Sequence, residues 1–241
     1  MVARMMLALA AVVSLITGAA QAQCRQALLL ALDVSGSVDS REYRLQLDGL
    51  AAALTDPAVQ EALLLMPSAP VRLAVMEWSG PEFQRVILPW REVRDASTVS
   101  QIAATLRATQ RVEADLSTAI GATLLRGAGE MAKQTDCWRQ VIDVSGDGKT
   151  NTGPLPQTIA PSMGDIIVNG LVIGEAVPTA GEGRNPGLAE LSAYYRAYVL
   201  HGEEAFLETA YGFEDFEAAM IRKLLRELQV VAVSDARPEI R

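Results

Sequence analysis

"QALLLALDVSGSVDS" (residues 26–40) runs an unbroken apolar stretch straight into an aspartate, a serine and a glycine. An apolar run this long without polar alternation is the pattern of a strand covered on both faces. The tetrapeptide Asp-Val-Ser-Gly that ends the run returns at 143–146, inside "WRQVIDVSGDGKTN" (138–151), again behind apolar residues. Each copy stands where a buried strand gives way to a loop.

Outward from the first copy, "REYRLQLDGLAAAL" (41–54) places Tyr43, Leu47, Leu50, Ala51 and Leu54 at helical spacing, with Ser40 or Asp39 as its cap. "VRLAVMEWS" (71–79) and "FQRVILPW" (83–90) read as two strands whose short Gly80-Pro81-Glu82 link requires an antiparallel pair. Helical patterns follow at 96–108 and 118–134, then strands at 138–145 and 165–174. A helix at 187–196, a short strand near "AYVLHG" (197–202) and helices at 203–211 and 213–228 complete the expectation. This alternation predicts an α/β fold: a Rossmann-like, doubly wound, mostly parallel sheet with one antiparallel edge strand and helices on both faces. No repeat of supersecondary size accompanies the duplicated tetrapeptide. Ligands of such sheets gather outside the carboxyl ends of the strands, where both copies stand.

The first 22 residues read as a secretory leader: a basic "MVAR", the apolar "MMLALAAVVSLITGAA" (5–20) and the small-x-small "AQA" (20–22). The apolar part is short for a membrane span, which takes about 20 residues; an uncleaved anchor is the alternative. A domain over 23–233 and a loose tail over 234–241 are expected to follow. The formal charge of -8 becomes -9 once Arg4 leaves with the leader, which argues against nucleic acid and anionic membranes as partners. Arg222, Lys223 and Arg226 read as a solvated helix face, and Glu77 as a solvent position on an edge strand. Trp78, Trp90, Trp138, Tyr194 and Tyr195 read as packing residues.

Asp33, Ser35 and Ser37 alternate along the extended exit from the first strand, so their side chains can project the same way. A carboxylate with two hydroxyls is an all-oxygen set suited to a hard cation such as Mg²⁺. Thr118, where a helical pattern begins, and Asp147, between two glycines after the later strand, can add to that shell. Asp-x-Ser-x-Ser after the first strand, a Thr opening a middle helix and an Asp-Gly after a later strand resemble the metal-ion-dependent adhesion site (MIDAS) of von Willebrand factor type A (vWA) domains. The resemblance implies Asp33, Ser35, Ser37, Thr118 and Asp147 as ligands of Mg²⁺ (or Mn²⁺ or Ca²⁺), with Ser117 a one-residue alternative to Thr118. "EWSG" (77–80), "RQVIDVSGDG" (139–148) and "HGEEAF" (201–206) further resemble an exported proteobacterial branch of that superfamily, a domain-of-unknown-function family.

In the type A fold the first and fourth strands are parallel neighbours. Cys24 lies nine residues before Asp33, and Cys137 ten before Asp147. The resemblance therefore implies a Cys24–Cys137 disulfide, with two free thiols as the alternative. Asp143 falls inside the buried strand, either as an outer-shell group behind the ligands or as a carboxylate satisfied within the fold. Residues 143–154 imitate half of a calcium-binding loop, but Pro154 stands where its last glutamate belongs. "GKT" (148–150) hints at a phosphate loop, but the glycine required five residues earlier is Asp143. His201 is the single histidine, and no nucleophile elbow accompanies it. The expected function is a non-catalytic, metal-dependent protein–protein interaction module, periplasmic or secreted, binding an Asp or Glu of a partner through the cation. The alternatives are a metal-assisted hydrolase, with Asp143 or a displaced Asp147 as base, and a scaffold with a structural or vestigial metal site.

Overall fold

The computed structural model describes residues 24–174 and 187–234. The expected leader, and the expected tail beyond Ser234, lie outside the described residues. The elements are β1 (Gln26–Asp33), α1 (Ser40–Thr55), α2 (Pro57–Leu64), β2 (Val71–Trp78), β3 (Gln84–Val93), α3 (Ala96–Ala108) and α4 (Ile120–Met131). They continue as β4 (Gln140–Gly146), α5 (Pro156–Ile159), β5 (Ile167–Gly174), α6 (Leu188–Tyr198), β6 (Leu207–Tyr211) and α7 (Phe216–Ser234). One sheet runs in the order β3–β2–β1–β4–β5–β6, parallel throughout except for β3. This is the expected doubly wound architecture with one antiparallel edge.

Strand alternation divides the core in two. Leu28, Leu30 and Leu32 of β1 pack with α1, α3 and α7, while Ala27, Leu29 and Ala31 pack with α4 and α6. β1 is therefore apolar at every position because both faces are covered. At about 2 kcal/mol for each buried leucine, these two layers dominate the fold's stability. Asp39 caps α1, its Oδ1 accepting from Glu42 N at 2.8 Å while Glu42 Oε2 accepts from Asp39 N at 2.7 Å. That reciprocal box starts the helix directly behind the first loop. Below the sheet, Cys24 and Cys137 form the disulfide, with their Cα atoms 4.3 Å apart.

Several expectations are corrected. The segment 203–211 is not a helix: 203–206 is turn and loop, and Leu207–Tyr211 is β6, which pairs with β5 from Gly170–Leu207 to Gly174–Tyr211. The helix-favouring residues Leu207, Glu208 and Ala210 yield to β5, whose backbone groups need partners on that side. No strand forms at 197–202; α6 runs on to Tyr198, and His201 makes a single bridge to Val168. Glu77 is buried on an inner strand, accepting from Tyr43 Oη at 2.6 Å and pairing with Arg85 at 3.3 Å. Lys223 leaves the solvated face it was assigned to, being buried and paired with Asp143. Of the two readings of Asp143, the geometry supports the carboxylate held within the fold: its Oδ1 accepts from Lys223, while its Oδ2 has no hydrogen-bond partner among the described residues. It shares its face of β4 with Val141 and points at α7, because its parity with Asp147 ends where β4 ends, at Gly146.

Candidate metal centre

Parallel register brings the site's elements to one edge. Asp33 is the partner of Trp78 on β2, and Leu32 is the partner of Ser145 on β4, so the loops after β1 and β4 leave the sheet side by side. Asp33 continues the Ala27–Leu29–Ala31 face toward α4 and α6. It is fully buried, and its Oδ1 accepts from Ser35 N at 2.8 Å. Ser35 Oγ lies 3.3 Å from Ser37 Oγ, and Ser37 Oγ donates to Asp147 Oδ1 at 2.6 Å. The three side chains of the first loop and Asp147 of the later one therefore converge.

Thr118 is buried beside them, its Oγ1 3.6 Å from where a Cβ on Gly148 would stand. Its place is fixed by two residues outside the sequence expectation. Asn151 Oδ1 accepts from Thr118 N, and Asn151 N donates to Thr118 O, both at 2.9 Å. Thr150 Oγ1 accepts from Ile120 N at 3.1 Å, filling a role that no side-chain cap of α4 fills. The "GKTN" that failed as a phosphate loop thus ties the start of α4 to the Asp147 loop. Gly36 N donates to Leu116 O at 3.0 Å and joins the first loop to the same segment. Ser117, the alternative to Thr118, instead donates from Oγ to Asp115 Oδ1 at 2.6 Å.

Burial, and then the nearby charge of Asp147, push the Asp33 carboxyl up to about 8. Burial likewise pushes Asp147 upward. The groups that oppose the rise at Asp33 are hydrogen bonds, not a cationic side chain. Asp33 Oδ2 has no hydrogen-bond partner among the described residues. Two buried carboxylates bordered by three hydroxyls fit a hard divalent cation, whose charge would offset their repulsion. His201 is remote: its Nε2 meets Gly164 O at 3.1 Å beside Val168, at the sheet's opposite edge.

A family model described as "Protein of unknown function (DUF1194)" matches residues 23–232. The chain belongs to that family. Comparison of this DUF1194 chain with curated proteins gives no match. Among solved structures it is similar to a von Willebrand factor type A protein from Catenulispora acidiphila, with a TM-score of 0.58 and 16% identity over 86% of this chain and 43% of that one. It is similar to proximal thread matrix protein 1 of the mussel byssus with a zinc-occupied MIDAS motif (TM-score 0.56, 15% identity, 86% and 46% covered). It is also similar to the conserved hypothetical protein BatB from Bacteroides thetaiotaomicron (TM-score 0.52, 15% identity, 86% and 98% covered). The DUF1194 chain spans less than half the length of the first two. At these identities the likeness establishes the vWA fold.

Proposed function

We propose that this chain is an exported, non-catalytic interaction module that holds a divalent cation with Asp33, Ser35, Ser37, Thr118 and Asp147 and uses it to bind a carboxylate of a partner protein. The observation that carries the reading is the meeting of two loops, Ser37 Oγ on Asp147 Oδ1 at 2.6 Å, around two buried carboxylates. Hydroxyl donors leave the ion more net positive charge than a cage of carboxylates would, so a partner's Asp or Glu can complete its shell. The zinc-occupied motif of the byssus protein is in keeping with a divalent ion here, and Mg²⁺ suits the oxygen donors. Leu116, 77% exposed and bonded through its carbonyl to Gly36, gives the rim an apolar side chain for a partner to cover. The leader-like start and the disulfide both suit an oxidising compartment outside the cytoplasm. A hydrolase would need a base beside the ion: Asp143 is held by Lys223, His201 stands at the far edge, and Asp147, the other candidate, accepts from Ser37 and is counted among the ligands.

The test uses the purified chain and a library of short peptides carrying Asp or Glu, with Asn and Gln counterparts as controls. Acidic peptides are expected to bind in Mn²⁺ and to be lost in EDTA or on Asp33→Ala. Equal binding of the amide counterparts, or binding that survives EDTA, contradicts the reading.

A further inference from the structure

Three fully buried side chains meet above the carboxyl edge of the sheet with polar atoms that have no hydrogen-bond partner among the described residues: Asp33 Oδ2, Tyr195 Oη and Trp78 Nε1. Each comes from a different element. Asp33 ends β1, Trp78 ends β2 as its register partner, and Tyr195 reaches down from α6. They converge on Gly146. A Cβ there would stand 2.8 Å from Asp33 Oδ2, 2.9 Å from Tyr195 Oη and 3.3 Å from Trp78 Cζ2, the carbon next to the one bearing Nε1. Gly146 is the last residue of β4, and any side chain on it would collide with them. The second Asp-Val-Ser-Gly thus ends in glycine because three neighbours crowd that point.

Leaving a buried polar atom unpaired costs about 1–3 kcal/mol, so three together at one place require an explanation. With Asp33 ionised, a hydroxyl, an indole N–H and a carboxylate oxygen around one point form a cage with two donors and one acceptor, the complement of a single water molecule. We propose that Trp78, Tyr195 and Asp33 hold one buried water over Gly146, which accepts from the indole and the phenol, donates to Asp33 Oδ2, and fixes the orientation of that carboxylate. Tyr195 is thereby a positioning residue for the candidate cation site. Only its effect on cation binding rests on the proposed function; the water site itself stands apart from it.

The experiment has two readouts. Metal-free crystals of the wild-type chain, grown on the alkaline side of the Asp33 value of about 8 so that its carboxylate is ionised, are expected to show a solvent peak within about 3.2 Å of both Asp33 Oδ2 and Tyr195 Oη. Tyr195→Phe removes one hydroxyl and leaves the ring packing in place; its crystals are expected to lose the peak and to show Asp33 turned from its wild-type torsion. Titration with Mn²⁺ should then give roughly tenfold weaker binding in the variant, the lower range for losing an outer-shell partner of a metal ligand, with the variant's circular dichroism unchanged. A wild-type cage without solvent overturns the proposal, as does a variant with unaltered Asp33 torsion or unaltered Mn²⁺ affinity. A wild-type chain that binds no Mn²⁺ while keeping the peak refutes the cation reading alone, and the Asp33 torsion in the variant then decides the role of Tyr195.

Discussion

With both carboxylates out of water, Asp33 and Asp147 repel each other, and the cost falls on the folded chain. A residue kept for holding a cation should therefore be destabilising when the cation is withdrawn. Asp33→Asn retains an oxygen for Ser35 N and removes an acid that, buried, must either stay charged or take up a proton that the unfolded chain releases. In EDTA the variant is expected to be more stable than wild type, by about 1–3 kcal/mol in chemical denaturation, while losing Mn²⁺ binding. A variant less stable than wild type under chelation would show that the charge is satisfied within the protein. Asp33, Ser35 and Ser37 were legible in the sequence because the alternation of an extended chain survives into the first loop. Asp143 was not, since its parity with Asp147 is broken at the end of β4. Nothing local marked Tyr195, whose hydroxyl has meaning only once α6 is laid against the ends of β1 and β2.

At the scale of elements, α7 is fastened to the sheet by charges where a solvated face was expected. Lys223 pairs with Asp143 of β4, while Glu227 Oε1 accepts from Gln26 of β1 at 3.4 Å and from Asn169 of β5 at 3.3 Å. Lys223 reads with Arg222 and Arg226 as a solvated face, and only the aspartate inside an apolar strand signalled a buried counterpart. Burial first, then the charge of Asp143, raise the Glu227 carboxyl from its ordinary 4.5 to about 8, against the opposing pull of Lys223 and Arg139. Between these values the folded chain holds a proton that the unfolded chain has released. The stability this group contributes is thus complete below about 4.5 and is lost as pH rises through about 8. Denaturation in EDTA across that range should show wild type losing stability relative to Glu227→Gln, by on the order of 2–4 kcal/mol. Parallel pH profiles for the two proteins would contradict the assignment. β6 escaped the sequence reading for a related reason. Its helix-favouring residues carry no local sign that β5 needs a neighbour on that edge.

For the molecule as a whole, the described residues contain no helix long and apolar enough to cross a membrane. The disulfide joins residues 113 apart, across β1, β2 and β3 with their helices, and lies at the edge opposite the candidate site. The double variant Cys24→Ser, Cys137→Ser should lose about 3–5 kcal/mol of stability, as the chain-entropy account gives for so long a loop. Its Mn²⁺ affinity should stay the same, because the loops after β1 and β4 are positioned by the sheet rather than by the bridge. A fall in affinity without loss of fold would mean that strain crosses the sheet from one edge to the other. The overall fold was legible because β1 is apolar on both faces, β4 is a short, mostly apolar run, and each ends in a polar loop at the same edge. The central claim is that those two loops and the start of α4 share one ion. Anomalous diffraction from crystals soaked in Mn²⁺ tests it most directly. One peak bounded by Asp33, Ser35, Ser37, Thr118 and Asp147 is the predicted result, and a peak elsewhere, or none there, would contradict the account.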